Sequence, residues 1–270
     1  MTLKNLMVHL DRSARTEARL TMAAALARRH QARLVGVFGQ RATPLQLGVA
    51  ANWPPADYTE AAAASQAAFL AATADLAQAE WVDINRGGDT ALVDLITETA
   101  RHADVMILGQ HDESVASQVP PELVEELVLH AGRPVLVVPY LGNYAPQFKR
   151  PLIAWNDSRE AAHALNDALP LIAGCDEAVV LSLDTRYDQA AASCAMVARH
   201  LACHGITART EILVVDDVGV MDMLLNRVTD NAADLLVMGA HGRIGFPFVS
   251  AGAGTRHILC NMTVPVLMAN

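Results

Sequence analysis

Short unbroken apolar runs and longer amphipathic or alanine-rich stretches alternate along the chain. Leu6-Met7-Val8-His9-Leu10-Asp11 and Ala32-Arg33-Leu34-Val35-Gly36-Val37-Phe38 have the length and content of strands buried on both faces. Between them, Ala18 to Ala27 predicts a helix that Ser13 can cap. The connection from Gly39 to Tyr58 carries Pro44, Trp53, Pro54 and Pro55, which predicts little regular structure over much of it. A helix is then predicted over 59–79, a strand over Glu80 to Asn85, and a helix over Thr90 to His102 with Asp89 as its cap. Asp104 to Gly109, Pro121 to Ala131 and Pro134 to Pro139 follow as strand, helix and strand. This alternation predicts a mostly parallel sheet with helices on both faces.

After a polar connection, Leu141 to Gln147, the pattern begins again. Pro151-Leu152-Ile153-Ala154-Trp155-Asn156 repeats the first strand with Asn156 where Asp11 stood, and Ser158 again opens a helix. Ala178 to Asp184, Asp188 to His204, Thr207 to Val215 and Val218 to Ala232 repeat the next elements, and Asp234 to Gly239 matches Asp104 to Gly109. Val264 to Met268 matches Arg133 to Val137. The expected architecture is therefore α/β: two tandem doubly wound domains, residues 1–140 and 149–270, each a five-stranded mostly parallel sheet.

One loop stands apart. Gly239 to Thr255 holds five glycines in seventeen positions between a buried strand and the apolar positions Ile258 and Leu259 of a predicted helix. Glycines let a backbone come close with its N–H groups exposed, and a helix start adds partial positive charge, so the stretch suits an anion such as phosphate.

Charge narrows the field of partners. A net charge of −9 with two lysines, Lys4 and Lys149, leaves no basic stripe for a nucleic-acid backbone. Asp11 interrupts the first apolar run before a signal-peptide core can form and no run reaches membrane-span length, so the expectation is a cytoplasmic protein without a membrane partner. Cys175, Cys194, Cys203 and Cys260 form no CxxC pair and read as reduced, packed thiols; His200, Cys203 and His204 share helical spacing, a pattern that serves structure more often than metal.

With the repeat and the loop both in view, the chain resembles a tandem member of the universal stress protein family over nearly its whole length. ATP-binding copies in that family carry Gly-x-x-Gly, nine residues, then Gly followed by Ser or Thr; Gly239, Gly242 and Gly252 match this spacing. Asn156 to Ala162 also resembles the start of the family's first helix. Ala253 departs from the pattern. It lacks a hydroxyl whose hydrogen bond to a charged group would be worth about 1.5–3 kcal/mol, which bears on the choice among ATP, ADP and AMP. The first copy departs further: Asp112 stands where the second glycine belongs, Glu113 follows, and Pro120-Pro121-Glu122 replaces the later glycine. Two carboxylates repel a polyphosphate unless a metal intervenes, so the first nucleotide site reads as degenerate.

The resemblance implies an adenine nucleotide alpha hydrolase-like fold with the ligand across the C-terminal edge of the second sheet. Adenine and ribose would lie near Ala154, Asn156 and Leu183; Met238 and Gly239 would border the ribose; Gly242, Arg243, Gly252, Ala253, Gly254 and Thr255 would take the phosphates. The ligand would be ATP, ADP or AMP, with or without Mg2+. The family pairs its last strands, here Pro134 to Val138 and Val264 to Met268, which would make one chain an intrachain pseudo-dimer and leave a homodimer or another protein partner open. In the first copy, His9, Asp11, His111, Asp112 and Glu113 could converge on a polar or metal pocket, or form a solvated loop. No Walker lysine motif, HExxH or nucleophile elbow occurs, and His241 is the one candidate base in the loop. The expected function is a stress regulator with one nucleotide, the alternatives being a nucleotide-free scaffold and a slow ATPase.

Overall fold

The apolar runs at the N-terminus form two adjacent parallel strands, β1 (Asn5–Leu10) and β2 (Arg33–Phe38), joined by α1 (Thr16–His30). The computed structural model describes residues 2–42, 45–47, 50–52, 54–84, 89–112, 117–215, 219–240 and 252–270, without the side chains of 45–47, 50–52, 89 and 90. Two compact units emerge, Leu3–Arg133 and Pro134–Asn270.

In the first unit a short antiparallel pair follows, β3 (Leu45–Leu47) and β4 (Ala50–Asn52), inside the connection expected to be irregular. Then come α2 (Ala56–Ala72), β5 (Ala79–Asp83), α3 (Asp89–Ala100), β6 (Val105–Gly109) and α4 (Leu123–His130). The main sheet has the order β6-β1-β2-β5, all parallel. The chain moves from β1 to β2 to β5 in one direction and returns to β6 in the other. Right-handed crossovers therefore place α1 and α2, which pack together, on one face, and α3 on the other with α4 against it. Phe69 is fully buried, and the Phe38 ring meets Tyr58 edge-on at 5.4 Å and Trp81 at 5.9 Å. Helix α2 stops seven residues short of the expected end. Thr73 turns its hydroxyl onto the Phe69 carbonyl at 2.7 Å, and its amide uses the same acceptor.

The second unit contains β7 (Val135–Val138), β8 (Pro151–Ala154), α5 (Arg159–Ile172), β9 (Ala178–Asp184), α6 (Tyr187–Cys203), β10 (Ala208–Val214), α7 (Val220–Asp230), β11 (Leu235–Gly239), α8 (Ala253–Asn261) and β12 (Val266–Ala269). Strands β10-β9-β8-β11-β12 are parallel, and β7 closes the row antiparallel to β12 with Leu136 opposite Leu267. Residues 140–150 are irregular. The repeat extends to polar detail. The Asp104 carboxylate accepts the amides of Lys4 and Asn5 at 2.6 and 2.9 Å, and Asp234 accepts those of Lys149 and Arg150 at 2.6 and 3.0 Å.

These mostly parallel, doubly wound sheets have the expected α/β fold. Both have their central reversal between the first and fourth strands of the repeat, β1/β6 and β8/β11, where open α/β sheets hold ligands beyond the strand ends. None of the four cysteines forms a disulfide; Cys194 is buried but Cys203 and Cys260 are exposed, so the packed-thiol reading fits only the first of these. Among the described residues no helix is long and apolar enough to cross a membrane.

Candidate functional site

In the first unit the strand-end crevice is filled from within. Arg19 lies in the first turn of α1, and helical side chains lean toward the N-terminus, so its guanidinium reaches back over the end of β1. Its Nε donates to the His9 carbonyl at 2.7 Å and its Nη2 to Thr16 Oγ1 at 3.1 Å, with Asp11 Oδ1 3.2 Å from Nη2. Nη1 presses on Gly109, the last residue of β6, where any Cβ would collide with it. Arg19 and His9 are 3% and 2% exposed, values at which a charge needs a partner. The His9 ring donates from Nε2 to the Gly39 carbonyl at 2.8 Å, which leaves its Nδ1 3.9 Å from Asp11 Oδ2.

This geometry sets two protonation states. Burial pushes His9 down to about 4 against the opposing pull of Asp11, so the imidazole is neutral. Burial would raise Asp11, but Arg19, His9 and the hydroxyls of Ser13 and Thr16 outweigh it and hold the carboxyl well below the usual range. Asp11 Oδ1 accepts the Ser13 amide at 2.9 Å, the Ser13 hydroxyl at 2.6 Å and the Thr16 hydroxyl. Ser13 therefore spends its hydroxyl on Asp11 and does not cap α1, contrary to expectation. That helix starts at Thr16 without a side-chain cap.

In the second unit the matching serine does cap. Ser158 Oγ accepts the Ala161 amide at 3.1 Å, and α5 starts at once, at Arg159. Counting from Asp11 and Asn156, which occupy the same place in the repeat, His9 corresponds to Ala154 and Arg19 to Ala164. The buried His-Asp-Arg group of the first copy is thus Ala-Asn-Ala in the second. Asn156 is exposed, and its Oδ1 accepts the Ser158 amide at 3.3 Å. Ala154 and Met238 face each other across β8 and β11, and half-buried Leu183 lies toward the C-terminal end of β9.

Gly239 packs against the start of α5. A Cβ there would lie 2.5 Å from Ala161 N and 2.8 Å from Glu160 Cβ, closer than non-bonded atoms approach. Gly239→Ala is expected to cost about 1–3 kcal/mol, because helix backbone must move; a urea midpoint equal to wild type would contradict this packing. Glu160 is held below the usual carboxylate range chiefly by its own backbone amide, against the opposing effect of burial and with further help from Arg159, whose Nη2 lies 3.0 Å from it, and from Ser158. It places a second charge beside Gly239 that the sequence reading did not single out.

Helix α8 begins three residues earlier than Arg256. Gly252 stands before it at φ +89°, a conformation suited to glycine, and Ala253, Gly254 and Thr255 make the first turn. Gly254 and Thr255 are buried and Ala253 is exposed. Gly242, Arg243 and His241 lie outside the described residues, as does Glu113. Of the other polar candidates, His9 and Asp11 meet as described, and among the described residues no three His, Cys, Asp or Glu side chains are placed to hold a metal ion. His200 and His204 instead pack ring edge to ring face at 4.8 Å.

Sequence reading missed Arg19, although a signal was present. It falls on the stripe of α1 that also carries Leu20, Ala23, Ala24 and Ala27, all buried, so a charge there had to find a partner inside.

Comparison with known proteins agrees with this architecture. A universal stress protein from Archaeoglobus fulgidus superposes with a TM-score of 0.75 at 17% identity, over 98% of this chain and 96% of that one. A protein of unknown function from Pseudomonas aeruginosa PAO1 gives 0.61 at 16% identity, over 99% and 92%. No curated protein sequence matches the chain. The sequence profile of the Universal stress protein family matches residues 2–139, just over half of the chain and the whole of the first repeat, and on that match the chain belongs to the universal stress protein family.

Proposed function

We propose that the chain binds one adenine nucleotide, ATP in the first instance, in its second copy, and that it acts as a cytoplasmic stress regulator. The observation that carries this reading is the exchange of His9, Asp11 and Arg19 for Ala154, Asn156 and Ala164. The first copy satisfies its strand end with its own side chains. The second presents a neutral carboxamide that can donate and accept, with Ala154 and Ala164 where the first copy has His9 and Arg19, which suits a base edge or a ribose hydroxyl.

The residues present fit such a ligand. Gly239 leaves no side chain between β11 and α5, and Gly252 turns the chain into α8, whose first amides have no helical acceptor of their own. Ala154, Asn156, Leu183 and Met238 would hold the nucleoside. Gly239, Gly242, Arg243, Gly252, Ala253, Gly254 and Thr255 would surround the phosphates, and a Mg2+ ion would be held mainly by phosphate oxygens and water. We further propose domains at 1–140 and 149–270, with the β7/β12 pair making one chain equivalent to a dimer.

The test is to denature freshly purified protein and separate the supernatant by anion exchange. Adenine nucleotide near one per chain is expected, and its loss in Gly242→Asp, which copies Asp112 into the second loop. Protein without nucleotide, together with no uptake of added ATP and Mg2+, would leave a nucleotide-free scaffold.

A further inference from the structure

Asn156 is tethered on both sides by one hydroxyl from a distant helix. Before it, Trp155 Nε1 donates to Ser193 Oγ on α6 at 2.8 Å; after it, Asp157 Oδ1 accepts from the same Ser193 hydroxyl at 3.0 Å. Indole N–H can only donate and a carboxylate can only accept, so the relay has one direction, Trp155 to Ser193 to Asp157. Each bond polarises the next.

The tether has backbone work to do. Asp157 sits at φ +59°, in the left-handed region that aspartate tolerates better than most residues but glycine prefers. Ser193 is 6% exposed, so its hydroxyl is shielded from competing water. The neighbouring Cys194 does not take its place: burial pushes its thiol up to about 11, so it stays a protonated and weak donor, and it already bonds Ser182. The first copy has no such relay. Leu10 and Arg12 stand at the matching positions, and the Arg12 amide is held instead by Gln40 Oε1 at 3.0 Å.

We infer that Ser193 is a positioning residue for nucleotide binding. Through Trp155 and Asp157 it fixes the main chain of Asn156, and so aims the carboxamide that contacts the base or ribose. The inference rests on the nucleotide-binding reading above. It also makes Trp155 a built-in reporter, because its indole bond belongs to the same chain of contacts as the ligand.

The experiment uses the full chain with Trp53→Phe and Trp81→Phe, which leaves Trp155 as the sole tryptophan. ATP and AMP affinities are measured by calorimetry, and Trp155 emission is followed in the same titrations, for this background and with Ser193→Ala or Asp157→Gly added. Both variants are expected to bind about tenfold more weakly. Asp157→Gly keeps the left-handed turn, so its thermal midpoint should stay within about 2 °C while the tether alone is lost. Nucleotide should shift Trp155 emission in the background protein and not in Ser193→Ala. Background-level affinities in both variants would overturn the tether and leave nucleotide binding standing; a background protein that binds neither nucleotide would overturn both.

Discussion

Arg19→Met is expected to destabilise the first unit by about 3–5 kcal/mol, the cost of leaving one member of a buried ion pair without its partner. The guanidinium serves the His9 carbonyl, Thr16 and Asp11 together, so its loss strands an acceptor and a carboxylate that is 8% exposed. Methionine keeps much of the volume, which separates the charge effect from a cavity. Asp11→Asn should also destabilise, because it leaves the guanidinium unbalanced. In the double variant Arg19→Met, Asp11→Asn the losses should be well short of additive, since the coupling between the pair is then already gone. The measurement is the urea transition of the four proteins. A single Arg19→Met change within about 1 kcal/mol of wild type would show that the ion pair contributes no more than an exposed one.

Acid should weaken the same unit through His9. The unfolded imidazole takes up a proton near its ordinary value of 6.5, whereas the folded one resists to about 4. Between those values the unfolded chain binds more protons, so stability is complete above pH 6.5 and falls as the pH drops to 4, by about 3 kcal/mol in all. Asp11 acts in a lower window. Its carboxyl is depressed, so its contribution is complete above the unfolded carboxylate value and is lost only as the pH falls through its still lower folded value. Half-buried His30 is also lowered, by burial and by Arg29 and Lys4, and adds in the same direction. His9→Gln, which can keep a donor toward Gly39, should flatten most of the slope between pH 6.5 and 4. An unchanged slope in that variant would assign the acid sensitivity elsewhere.

The strands were legible because burial on both faces leaves nearly continuous apolar runs: Ala178–Asp184 is read and found with the same ends. The repeat was legible for the same reason, down to the aspartates that open β6 and β11. Helix ends were less so. Glycines at 252 and 254 read as loop, yet Gly252 is the left-handed residue before α8 and Gly254 lies within it, buried. Ser13 and Ser158 look alike in sequence but differ in role, because a carboxylate two residues earlier takes the hydroxyl of one and a carboxamide leaves the other to cap.

At the candidate site, local spacing named residues along the chain but could not name those joined by tertiary contact. Asn156 and the glycine spacing follow from a count along the chain. The Trp155-Ser193-Asp157 relay joins residues 36 and 38 apart through α6, and no periodicity marks it. The inward role of Arg19 depended on seeing a charge on a buried stripe and supplying its partner from the end of β1. Together these contacts set the two copies of the fold apart: the first uses the polar groups of its strand end on itself.

Calorimetric titration of nucleotide-stripped protein with ATP and Mg2+ tests that asymmetry most directly, with Asn156→Ala and Asp11→Ala beside the wild type. A stoichiometry of one per chain is expected, weakened by Asn156→Ala and retained in Asp11→Ala, whose cost falls on the stability of the first unit. Two sites per chain, or one site abolished by Asp11→Ala and indifferent to Asn156→Ala, would contradict the account.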